Sequence, residues 1–158
     1  MKKLVTTWIL LLILTSCGIS KTVRTSKKVI KGNWTLKTIT YSESGTYNIS
    51  LLNDASKECF EGSQWQFIPN NNTGNYIIDN ANCTAGSRYF IFTIDEIDET
   101  TGLYDFLLKP TNEKGKSQTN AGFRMNLSQL SDTNMQWKQT VSVDGNPFVI
   151  NMNFIKQQ

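Results

Sequence analysis

The chain has 158 residues, 39% of them apolar, with sixteen basic against thirteen acidic side chains and no histidine. That length suits one ordinary domain. The missing imidazole excludes Ser–His–Asp and Cys–His nucleophile systems and the commonest zinc ligand, and a net charge of only +3 lacks the concentrated basic face that nucleic acid requires.

Met1-Lys2-Lys3 is a short positive start, and Val5 to Leu14 is almost entirely apolar. The run is short for a bilayer span, which takes about 20 residues, and fits the centre of a secretion signal. Leu14-Thr15-Ser16-Cys17 follows directly. It resembles the bacterial lipobox, in which small residues precede a cysteine that is acylated on sulfur and becomes the new N-terminus. The resemblance implies a signal peptide over 1–16 and a lipid anchor on Cys17. Each buried acyl methylene adds about 0.8 kcal/mol, so several chains hold a protein durably. Gly18 is not the aspartate that resembles an inner-membrane retention signal, and no acidic cluster follows that resembles a surface-export signal. The expected address is the outer membrane, facing the periplasm. Residues 17–31 carry Lys21, Arg24, Lys27, Lys28 and Lys31 and read as a flexible tether beside anionic head groups. Loss of Lys2 and Lys3 leaves fourteen of the sixteen basic residues against thirteen acidic ones, so the mature domain is close to neutral.

From Gly32 onward the pattern is strands and turns. Gly32 to Tyr41 is rich in β-branched and aromatic residues, as strands are. Ser42 to Ser50 is a turn-rich loop, and Leu52 to Phe60 predicts a short helix capped by Asn53 or Asp54 and ended by Gly62. Ser63 to Ile68 is a strand, Pro69 to Gly74 a hairpin turn by composition, and Tyr76 to Ile78 the return strand. A loop holding Cys83 precedes an apolar strand, Arg88 to Ile94. Asp95 to Gly102 reads as an acidic turn, Leu103 to Lys109 as a strand and Pro110 to Lys116 as a turn. Ala121 to Leu127 alternates cleanly, Met135 to Val143 follows, and Asp144-Gly145-Asn146 is a tight hairpin signal before the alternating strand that carries Phe148, Ile150, Met152 and Phe154. About eight strands on short consecutive turns predict an all-β, eight-stranded antiparallel up-and-down β-barrel over 32–158, with one short helix after the first strand. Cys59 and Cys83 are expected to form a disulfide in an oxidising compartment.

Gly32-Asn33-Trp34 resembles the Gly-x-Trp signature that opens the first strand of lipocalins, and the run from Cys59-Phe60-Glu61-Gly62 to Asn72-Thr73-Gly74 is similar to the lipocalin-like lipoproteins of Bacteroidetes. The resemblance implies a lipocalin-like barrel with Trp34 closing one end. Lipocalins commonly set a late arginine against that tryptophan. The candidate here is Lys156, and a lysine cannot stack as a guanidinium does, so that pairing is not expected.

Alternation selects Trp65, Phe67, Phe92, Ile94, Tyr104, Phe106, Phe123, Met125, Trp137, Phe148, Ile150 and Met152 as the inward wall. These residues either line a pocket for an apolar or amphipathic small molecule or fill a packed core, because eight strands stand at the limit between hollow and filled. Asp95, Glu96, Asp98 and Glu99 lack the spacing and glycine of an EF-hand loop and read as a solvated turn, with no metal expected. Glu58 and Glu61 have helical spacing but no acid–base partner, so no enzyme and no cofactor are expected. The leading functional expectation is a membrane-anchored lipoprotein that binds or carries a small hydrophobic ligand in its barrel. The alternative is a non-enzymatic envelope module with a filled barrel, whose loops bind a protein or glycan.

Overall fold

The computed structural model describes residues 21–158 except Gln118, and leaves aside the side chains of Val23 and Glu96. The expected signal, Cys17 and the start of the expected tether lie outside the described residues. Helix α1 (Lys21–Ile30) leads into β1 (Gly32–Tyr41), and a short α2 (Lys57–Phe60) follows. Then come β2 (Gln64–Ile68), β3 (Thr73–Ile78), β4 (Gly86–Ile97), β5 (Tyr104–Thr111), β6 (Phe123–Leu130), β7 (Asn134–Val143) and β8 (Asn146–Lys156). Each strand pairs with the next and β8 returns to β1, closing an eight-stranded antiparallel barrel.

Period-two alternation builds the core. In β2, Trp65 and Phe67 are buried between exposed Gln64, Gln66 and Ile68, and in β8 Phe148, Ile150, Met152 and Phe154 point inward. β1 breaks this period. Its register shifts between Leu36 and Thr38, so Lys37 and Thr38 both face out while Leu36 and Ile39 are both buried. Such a bulge leaves a backbone group unpaired. Glu61 answers it, its Oε1 accepting from the Ile39 N–H at 2.7 Å. The carboxylate at Glu61 therefore serves the fold.

Several boundaries differ from those expected. The acidic segment does not begin at Asp95, since β4 runs on to Ile97. Asp98 makes the tight turn, its Oδ1 accepting from the Thr100 and Thr101 N–H groups, which holds its carboxyl below the usual range. Pro110 lies inside β5, opposite Phe90. Pairing of β5 with β6 stops at Leu108, so the proline sits where the strand has one partner and its missing N–H is tolerated.

The largest difference is α1. A flexible tether was expected here, yet Lys21–Ile30 is helical because one of its faces is buried. Ser26 and Ile30 stand one turn apart and are 5% and 2% exposed. Ser26 Oγ donates to the Gly102 carbonyl at 2.7 Å. Gly102 adopts φ +73°, and a Cβ there would meet Ser26 Cβ at 3.2 Å, so glycine is what lets helix and turn approach.

Strand directions put α1 and the turns 69–72, 98–103 and 131–133 at one end of the barrel. At the other end lie the segment 42–63 and the connections 79–85, 112–122 and 144–145. The expected disulfide, Cys59–Cys83, ties two of these together. Beside it Asp54 accepts from Tyr76 Oη at 2.8 Å and from Arg88 Nε at 3.0 Å, while the other Arg88 nitrogens donate to the carbonyls of Gly86 and Thr84. The helices, strands, disulfide and core described all fall within residues 21–158, so the chain from Gly18 onward keeps every contact described.

Gly74 is buried in β3, and a Cβ there would run into the Phe90 ring and the Gln66 carbonyl. Overpacking of this kind costs about 1–3 kcal/mol. Gly74→Ala is expected to lower the guanidinium unfolding midpoint accordingly, and an unchanged midpoint would show that the ring yields freely.

Candidate functional site

Three buried polar atoms among the described residues have no partner: Tyr41 Oη toward the disulfide end, and Tyr104 Oη and Trp137 Nε1 toward the helix end, where two fall together. Trp34 closes the helix end, fully buried, its Nε1 donating to the Ile30 carbonyl at 2.9 Å. Lys156 Nζ lies 5.1 Å from the centre of the Trp34 ring and donates to the Val29 carbonyl. The pairing not expected from sequence is therefore present. The ammonium acts as a point charge over the ring face, where planar stacking is not required, and its hydrogen bond fixes the last turn of α1, where a cation also suits the helix dipole.

A narrow gap remains between Ile30, Phe67, Phe92, Tyr104, Phe106 and Trp137, with no room for a water-sized sphere. Two of these residues carry polar atoms that are buried and have no hydrogen-bond partner, Tyr104 Oη and Trp137 Nε1. Buried donors are nearly always paired, and an unpaired one costs about 1–3 kcal/mol. Two on residues around one void mark a place where the fold has kept polarity it does not use.

The sequence-derived inward wall is distributed along the whole barrel. All of it is buried except Ile94 and Phe123, which are half-buried. Only Phe67, Phe92, Tyr104, Phe106 and Trp137 come together at the void. Trp65, Met125, Ile150 and Met152 lie in the packed core, and Phe148 joins Tyr41 and Tyr47 at the opposite end, with ring centres 5.3 and 4.7 Å away. Among the described residues, aromatic rings fill the middle of the barrel between Phe123, Trp137 and Ile150. Trp137 alone has ring centres of Phe106 and Phe154 at 4.9 Å, Phe67 at 5.3 Å and Trp65 at 5.4 Å. Ile30 is the site residue that sequence reasoning missed. Its signal was Ser26 and Ile30 at helical spacing inside a run read by its charges.

Burial raises the Tyr104 hydroxyl above its ordinary value of 10.0, and burial followed by the Asp54 carboxylate does the same for Tyr76. The unfolded chain therefore releases these protons first as pH rises. Stability from both groups is complete below about pH 10 and is lost as pH climbs toward the folded values. In a spectrophotometric titration, their phenolate absorbance is expected to appear only together with unfolding. Smooth ionisation in the folded protein would contradict this.

No protein-family model and no curated protein sequence matches the chain. Among solved structures, it is similar to the crystal structure of a lipocalin-like protein from Bacteroides uniformis, with a TM-score of 0.50 and 9% identity over 82% of this chain and 99% of that one. At that identity the likeness concerns the fold. The barrel is lipocalin-like: eight strands in up-and-down order, the first opened by Gly32-Asn33-Trp34 and closed beneath by a helix.

Proposed function

We propose that this protein is a non-enzymatic, lipocalin-like lipoprotein of the bacterial envelope, anchored through Cys17, that binds a small apolar molecule bearing a hydrogen-bond acceptor at the helix end of its barrel. The observation that carries this reading is the pair of unpartnered donors, Tyr104 Oη and Trp137 Nε1, on residues around one apolar void. An acceptor oxygen reaching either donor would give it a partner, and the surrounding rings suit an apolar body. Engineered apolar cavities of about 150 Å³ hold a benzene-sized guest, so a ligand of that class needs the void to open. Ile30 is the side chain that would give way, since it belongs to α1 and not to the strands. The lipobox, signal and periplasm-facing address rest on Leu14-Thr15-Ser16-Cys17 and the apolar run before it.

The test is titration with acetophenone, an aromatic ring with one acceptor, followed by tryptophan fluorescence. Tyr104→Phe is expected to weaken binding about tenfold, equivalent to roughly 1.4 kcal/mol, and to stabilise the free protein by about 1 kcal/mol because it deletes an unsatisfied hydroxyl. Ile30→Ala should strengthen binding. Titration curves unchanged by both variants would sink the proposal.

A second reading, a loop-binding module on a filled barrel, draws on the packed centre and on an outer groove of about 360 Å³ lined by Gln66, Asn71, Asn75, Tyr89, Asn112 and Lys114. Amide and tyrosyl groups of this kind suit a glycan. Absence of extractable ligand from the purified protein, with glycan binding lost in Tyr89→Ala, would favour it.

A further inference from the structure

We infer that α1 is a docking face by which the helix end of the barrel rests on an anionic phospholipid surface. This goes beyond the ligand reading above and draws on its Cys17 anchor only for the choice of a bilayer as the anion. Lys21, Arg24 and Lys28 are exposed, as is Lys31 just past the helix end. Their spacing of three, four and three places them along one stripe. Ser26 and Ile30 lie on the opposite side, fixed to the barrel.

No acidic residue interrupts the KTVRTSKKVI sequence of α1, and among the described residues none of the four cations takes part in an ion pair. The turns at this end carry the acids Asp98, Glu99 and Asp132, and the Asp98 carboxylate is committed to the amides of its own turn. The stripe is thus a fixed row of positive charge on a domain whose other ten basic residues after Lys3 stand against thirteen acidic ones. A planar anionic surface fits a single row about 15 Å long, the length of ten helical residues. A nucleic acid groove would call for charge on several elements.

Position in the chain points the same way. Lys21 is four residues after Cys17, a reach of at most about 14 Å. A lipid on that cysteine would hold α1 within touching distance of the head groups. Because α1 is bonded to Gly102 and Lys156, docking the stripe would also orient the barrel, with the disulfide end pointing away from the membrane.

The test uses the chain from Gly18 to Gln158, which carries no lipid, and sucrose-loaded vesicles of phosphatidylcholine with or without about 30% phosphatidylglycerol. Sedimentation is expected to show at least about tenfold stronger partitioning onto the anionic vesicles at low salt, fading as salt shortens the screening length. The combined variant Lys21→Gln, Arg24→Gln, Lys28→Gln, Lys31→Gln should fall to the neutral-vesicle level. The control Lys37→Gln, Lys114→Gln, Lys116→Gln, Lys138→Gln, with the same charge change elsewhere, should bind as the parent does. Equal partitioning onto both vesicles overturns the inference. So does loss of binding in the control to the same extent, or equal retention by a DNA duplex. Because the assay includes neither an interior ligand nor Cys17, its failure is distinguishable from failure of the ligand or anchor readings.

Discussion

Trp65→Ala is expected to destabilise the domain by about 3–5 kcal/mol, a large part of the 5–15 kcal/mol that a domain of this kind usually has. Trp65 is 1% exposed and lies at the centre of the aromatic core. Its ring stacks on Tyr76 at 4.4 Å and meets Phe90 and Phe154 at 5.6 Å and Trp137 at 5.4 Å. The side chain is also a polar connector. Its Nε1 donates to Ser63 Oγ at 2.8 Å, and Ser63 Oγ donates in turn to the Phe60 carbonyl. Truncation would leave a cavity and also remove the donor to a buried hydroxyl. Guanidinium unfolding with the disulfide intact measures this. A loss below about 1 kcal/mol would mean that the surrounding rings collapse into the space, contrary to a closely packed interior.

Removing the Cys59–Cys83 bond is expected to cost about 3 kcal/mol, from the closure entropy of a loop between cysteines 24 residues apart. The effect should be concentrated at the disulfide end. Reduction would loosen α2 from the segment 79–85, leaving the Asn80 Nδ2 donation to the Glu58 carbonyl and the Asp54, Tyr76 and Arg88 cluster as the remaining polar ties. Denaturant unfolding of the Cys59→Ser, Cys83→Ser double variant gives the magnitude, and limited proteolysis gives the place. Cleavage is expected within 42–63 before the barrel opens. Cleavage first at the helix end would refute that assignment. The two losses should not add, because Phe60 follows Cys59 and packs on Trp65 with ring centres 6.2 Å apart; neighbours in one cluster couple.

The fold was legible because its main signal has period two. Trp65 and Phe67, or Phe148 through Phe154, announce an inward face without reference to any distant residue. Turn residues such as Asp144-Gly145 mark the connections equally locally. What was missed depends on partners far along the chain. The bulge in β1 is invisible until Glu61 is seen to accept from Ile39. Alpha-helical order in α1 is hidden by its lysines, since Ser26 and Ile30 acquire their meaning only against Gly102 and the barrel floor. Lys156 over Trp34 joins residues at opposite ends of the domain. Hollow or filled was also beyond the pattern. Alternation tells which side chains enter the barrel, and only the radius and the stagger of strands decide whether they meet.

The seam between β1 and β8 has its own meaning for how this protein is made. Trp34 lies opposite Lys156 and Tyr41 opposite Ile150, so the first strand to be synthesised waits for the last before its outer edge is covered. Contacts this distant in sequence make for slow folding, and an unfinished chain carries an open strand edge that invites other chains. Lys156 also bonds the carbonyl of Val29. Arrival of the final strand therefore closes the barrel and adds the Lys156 bond to the helix beneath it in one event, and a chain ending before Lys156 would lose that bond and the pairing opposite Trp34.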